Sequence, residues 1–221
     1  MSNDNAFAVK DCALIAIATG RKATSLKELR DTLKLITLDS IYFHFWGSLL
    51  EPQFEEREYN NNFSAWARHG LHDDALAERL AMVDPSGYST LEDLRQELVD
   101  TVEERLEESE YLNWAIATEP FEFIRSQIVV FDTHKRIKHP KQLAELLPHL
   151  SASSIFYHFI DARRRLPEHS DDFRLWLKGF NGQYDKLCDE LTQIDPYFSS
   201  LTELRQDLTQ AFRHHCLGVS V

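Results

Sequence analysis

Apolar residues recur every three or four positions through most of the chain, the spacing of amphipathic helices. Leu26, Leu29, Leu33 and Ile36 share one face of a run opened by Ser25-Leu26-Lys27-Glu28. That opening is a capping-box sequence, in which Ser and Glu side chains satisfy N–H groups at a helix start. Residues 38–50 predict a second, strongly apolar helix, with Ile41, Phe45 and Leu49 at every fourth position. Glu51 to Asn61 is polar and reads as a loop, ended by Asn62 as the N-cap of a short helix carrying Phe63 and Trp66. Asp73 caps the next helix, with Leu76, Leu80 and Val83 inward. That helix stops at Asp84-Pro85, because a proline pushes the residue before it out of the α region. Ser89-Thr90-Leu91-Glu92 reads as another capping box, opening a long helix with Leu91, Leu94, Leu98 and Val102 inward. Two runs depart from this spacing, Leu14-Ile15-Ala16-Ile17 and Ile128-Val129-Val130-Phe131. The second is β-branched and reads either as helix or as a short strand pairing with its counterpart. The expected fold class is mainly α, with a short β pair formed by these two runs as the addition left open.

The helical pattern occurs twice. Ser40-Ile41-Tyr42-Phe43-His44-Phe45 recurs 114 positions later as Ser154-Ile155-Phe156-Tyr157-His158-Phe159. Phe63-Ser64-Ala65-Trp66 recurs as Phe173-Arg174-Leu175-Trp176, and Asp84-Pro85 as Asp195-Pro196. Leu91-Glu92-Asp93-Leu94-Arg95-Gln96-Glu97-Leu98 recurs as Leu201-Thr202-Glu203-Leu204-Arg205-Gln206-Asp207-Leu208, and Phe7 aligns with Phe121. Blocks that keep their order point to an internal duplication. The expected organisation is two homologous helical subdomains, residues 6–108 and 120–217, with 109–119 as the connecting segment.

The pattern Gly20-Arg21-Lys22-Ala23, Leu26-Lys27-Glu28-Leu29, Ser40 to His44, Asn62 to Trp66 and Leu76 to Ala81 followed by Asp84 resembles a bacterial and archaeal domain of unknown function, the DUF5752 type. The resemblance covers nearly all of residues 6–108, and the second half looks like a diverged example in which His134 stands for Gly20 and Asp172 for Asn62. A family without an established activity implies no catalytic residue.

Charge divides the two halves of the chain. Residues 1–119 carry 23 acidic against 11 basic side chains, whereas residues 120–221 carry 13 of each. Leu91 to Glu110 alone holds nine acids and two arginines. The second half has seven of the ten histidines and two basic clusters, His134 to Lys141 and Arg163-Arg164-Arg165. A net charge of −12 repels phosphate at long range, so nucleic acid is not an expected partner. The unlike halves suggest a homodimer through complementary charge. No apolar run has the 18 residues of a membrane span, and the start lacks a secretory pattern. Cys12, Cys188 and Cys216 are too widely spaced for a disulfide framework or zinc site, which points to a reducing, cytoplasmic setting.

Candidate chemistry centres on the repeated residues. His44 and His158 each follow a serine by four positions on one helix face, and a histidine among aromatics can be a general base or a ligand donor. The structural alternative is a buried imidazole bonded to a backbone carbonyl or to the serine. Trp66 and Trp176, and the loops ending at Asn62 and Asp172, are ligand-binding candidates whose alternatives are core packing and helix capping. Arg95 and Arg205 can bind an anion or tie the long helix to Asp84 and Asp195. Neither histidine has a second metal ligand at HxxxH or HExxH spacing, His214-His215 beside Cys216 is too short a run to make a site, and nucleotide and nucleophile-elbow motifs are missing, so no metal or cofactor is expected. The favoured function is a non-catalytic module binding a protein partner or small ligand in the groove between the two copies. The alternative is a small hydrolase or transferase with His44 or His158 as general base.

Overall fold

The computed structural model describes residues 6–50 and 58–218. It is mainly helical, with one two-stranded sheet. The strands are β1 (Phe7–Ala23) and β2 (Phe121–Ile137), each 17 residues long. They run antiparallel: Lys22 meets Glu122, and the Thr133 hydroxyl reaches the Val9 carbonyl. The runs at 14–17 and 128–131 are therefore strand, and the pair is far longer than the short one expected. Alternation of buried and less buried positions is clear only at the strand starts, Phe7 with Val9 and Phe121 with Phe123, and the rest of each strand is largely half-buried or exposed. Both strands contain a residue in the left-handed region, Gly20 at φ 74° and His134 at φ 60°. Glycine takes that conformation freely; the histidine takes it at a steric cost.

The chain divides into two compact units, residues 14–127 and residues 1–13 with 128–221. The first unit holds α1 (Leu26–Leu33), α2 (Leu38–Trp46), α3 (Asn62–His69), α4 (Asp74–Ala81) and α5 (Leu91–Glu108), with Phe121 and Phe123 of β2 buried and Phe121 packed on His44 of α2 and on Phe63 and Trp66 of α3. Leu26, Leu29, Ile41, Phe45, Phe63, Leu76, Leu94, Leu98 and Val102 are completely buried there, as the helical spacing predicts. The second unit holds α6 (Pro140–Leu146), α7 (Ala152–Ile155), α8 (Ala162–Arg165), α9 (Asp172–Leu177), α10 (Asp185–Gln193) and α11 (Leu201–Leu217), with Phe7 and Val9 of β1 buried and Phe7 packed on Phe173 and Trp176 of α9. A π-helical turn, Phe156–Asp161, joins α7 to α8. Each unit thus takes the buried opening residues of the strand that begins the other half of the sequence. No helix among the described residues is long and apolar enough to cross a membrane.

Most helix starts follow their sequences. Ser25, Asp73 and Ser200 cap α1, α4 and α11 through side-chain oxygens, and Ser200 with Glu203 forms a full capping box. Three caps differ by one residue. Thr90 with Asp93 caps α5, displacing the expected Ser89 and Glu92. Asn61 caps α3 and Asp171 caps α9, where Asn62 and Asp172 were expected. The loop Glu51 to Asn61 falls largely on residues 51–57, outside the described residues.

Candidate functional site

In the first unit, α2 presents Ser40 and His44 one turn apart on the same face, both buried. The Ser40 hydroxyl donates to the carbonyl of Ile124 at 2.7 Å. The N–H of the same Ile124 donates to His44 Nε2 at 3.1 Å. One serine and one histidine therefore satisfy both main-chain groups of a single β2 residue, as a neighbouring strand would. A ring that accepts at Nε2 and is neutral carries its proton on Nδ1. The Asn62 side-chain amide lies 3.3 Å from Nδ1, and to accept that proton it must turn its oxygen inward. Phe121 and Phe63 close over the imidazole at ring distances of 4.6 and 5.1 Å. Burial alone pushes His44 down to about pKa 3, so the ring is neutral at physiological pH.

The second unit repeats the contact on β1. Ser154 donates to the Lys10 carbonyl at 2.8 Å, and the Lys10 N–H donates to His158 Nε2 at 2.9 Å. Here Nδ1 faces a carboxylate, Asp172 Oδ2, at 2.7 Å. Asp172 also accepts from Arg165 at 3.2 Å. The Arg165 guanidinium lies over the Tyr157 ring at 4.1 Å and pairs with the buried Asp161 at 2.8 Å. Nearby, Asp11 accepts from the hydroxyls of Ser151 and Ser153. Cys12 donates its thiol to the Ser153 carbonyl, and burial, reinforced by Asp11, pushes that thiol up to about pKa 12. A thiol so firmly protonated is no nucleophile.

The one-residue displacement of the α3 and α9 caps follows from the histidines. A helix needs one acceptor at its N-cap, and Asn61 and Asp171 supply it; the next residue in each case is freed to hold the imidazole. The expected carbonyl partner for the histidines is replaced by backbone N–H groups, because the serine hydroxyls occupy the carbonyls.

Trp66 is buried and donates from Nε1 to the Glu119 carbonyl at 2.7 Å. Trp176 is buried against Phe7 at 5.4 Å. The expected Arg–Asp ties do not form. Arg95 donates to the Lys34 carbonyl at 3.1 Å and Arg205 to the Leu150 carbonyl at 3.0 Å. Asp84 and Asp195 spend their carboxylates on N–H groups of their own turns, Ser86 and Tyr197. The structure thus gathers His44 with Asn62, and His158 with Asp172, and gives Trp66, Trp176, Arg95 and Arg205 separate tasks. Sequence reading missed Arg165 and Asp161 as partners, although Asp161 with Arg164 and Arg165 at i+3 and i+4 is a visible helical ion-pair spacing.

An Asp–His pair is half of a general-base relay. In both units, however, the Nε2 lone pair that would take a proton already accepts one from a strand.

A model of the Family of unknown function (DUF5752) matches residues 4–213 in a single span through both halves. Among solved structures, the chain is similar to "The structure of OrfY from Thermoproteus tenax", with a TM-score of 0.82 at 22% identity over 96% of each chain. At that identity the likeness shows the fold alone. No curated protein matches the sequence.

Proposed function

Because the chain belongs to this family of unknown function, we propose that it is a non-catalytic interaction module built from two copies of one helical unit. The observation that carries this reading is the commitment of both Nε2 atoms to main-chain N–H groups within the core. The repeated Ser-x-x-x-His spacing then serves as a strand clamp and not as an acid–base device. On the same reading residues 6–108 and 120–217 are the duplicated copies and 109–119 their connection, since both clamps use matched serine and histidine positions. His44, His158, Asn62, Asp172, Trp66, Trp176, Arg95 and Arg205 become framework rather than ligand contacts.

The connecting segment supplies a surface for a protein partner. Tyr111, Trp114 and Ile116 are 75%, 82% and 70% exposed within six residues, and exposed aromatic clusters of this kind mark interfaces. The unlike charge of the two halves supports self-association, which moderate salt would weaken. Free cysteines fit a cytoplasmic setting.

One observation favours a hydrolase or transferase reading: the 2.7 Å contact of His158 with Asp172. Replacing His44 or His158 by alanine separates the two. A clamp role predicts a loss of about 1–3 kcal/mol of stability for each variant, measured by chemical denaturation. A variant His158→Ala of native stability that abolishes turnover of an ester, phosphoester or glycoside would overturn the clamp reading. The partner surface is tested by Trp114→Ala with Tyr111→Ala, expected to melt as the parent does while losing the partner it captures.

A further inference from the structure

The last turn of α11 carries His214 and His215, and the adjacent α10 brings Glu190 to them. His215 Nε2 lies 2.6 Å from Glu190 Oε2, and the two imidazoles stack at 4.8 Å with their planes 13° apart. One ligand atom from each of the three residues lies within 4.8 Å of the other two. From these contacts we propose a binding site for a borderline divalent cation of the zinc class, held by His214, His215 and Glu190.

The donor set decides the class of ion. Two imidazoles with one carboxylate suit zinc and its late first-row neighbours, whereas calcium and magnesium require oxygen donors. Bonds of about 2.0–2.1 Å in a tetrahedron set ligand atoms about 3.4 Å apart. The Glu190–His215 contact is a hydrogen bond whose proton the ion would replace as the two atoms part to that distance, and His214, which is exposed, would turn out of the stack through solvent to bring a ring nitrogen to the same point. The carbonyl end of a helix also favours positive charge. Cys216, next in sequence, is buried and leaves the fourth position to water. Such an ion would pin the end of α11 to α10.

Equilibrium dialysis of the metal-stripped full chain against micromolar zinc tests the site, with bound metal counted per chain. His214→Ala and Glu190→Gln should each bind one ion fewer than the parent, whereas His69→Ala, an exposed histidine elsewhere, should not. Loss of an outer-shell partner typically weakens a metal site about 10–100-fold, so loss of a ligand should cost at least tenfold. Melting curves without metal should show both variants folded, because His214 is exposed and Gln preserves the contact at 190. A parent that binds no zinc, or variants that keep the parent's full complement and affinity, would overturn the proposal.

Discussion

The two clamps hold their strands alike and secure their histidines differently. In the first unit His44 is backed by the neutral amide of Asn62; in the second His158 is backed by the carboxylate of Asp172, which Arg165 and Asp161 extend into a charged network. What is common is the demand for an acceptor at Nε2 and a donor from serine, because a half-buried strand residue lying against a helix is shielded from water and needs both its N–H and its C=O satisfied. What differs is the group facing Nδ1: a carboxylate in the second unit, and in the first an amide that accepts from the ring once its oxygen is turned inward. The chemistry at the back of the ring is free to vary so long as it accepts a hydrogen bond from Nδ1–H, and this explains how Asn62 and Asp172 can occupy matched positions without a shared ligand.

The largest test of this contrast is acid. His44 titrates near 3 in the fold and near 6.5 in the unfolded chain. Its neutral form is therefore favoured by folding, and its contribution is complete above about pH 6.5 and lost as pH falls toward 3. Between pH 6.5 and 4 the loss should be about 3 kcal/mol, measured by urea unfolding at the two values. Asn62→Asp, which makes the first clamp resemble the second, should flatten that dependence, because a carboxylate beside the ring lifts the depressed pKa. An unchanged slope in Asn62→Asp would break the comparison.

A smaller effect sharpens it. Ser40→Ala and Ser154→Ala each leave a strand carbonyl without its hydroxyl, at a cost of about 1 kcal/mol each. Equal losses would show that the two clamps carry similar load; a loss confined to one would show that the other strand is held mainly by its neighbours. The smallest effect concerns the strands themselves. His134→Gly should gain about 0.5–1 kcal/mol in a thermal melt, since relief of the left-handed strain exceeds the added chain entropy. Gly20→Ala should lose stability by the same mechanism.

Much of this architecture was legible locally. The helices at 26–33, 74–81 and 91–108, their inward leucines, and the capping residues Ser25, Asp73 and Ser200 follow from spacing and from hydrogen-bond chemistry within a single turn. The serine and histidine four apart were visible as a pair on one face. Their purpose was not, because the groups they serve lie far along the chain: Lys10 is 148 positions from His158, and Ile124 is 80 from His44. The apolar runs at 14–17 and 128–131 carry no period that separates helix from strand, and pairing across the sheet decided it. Asn61 against Asn62, and Asp171 against Asp172, are chemically interchangeable as caps; only the arrival of an imidazole from another helix assigns one to the helix end and the other to the ring. In the same way Glu190 meets His214 and His215 only because α10 packs beside α11. Turns and helix faces follow from the residues alone, because they depend on neighbours within about four positions. Tertiary structure decided the partners, since contacts between distant residues form only where closing the intervening chain is repaid by a buried core.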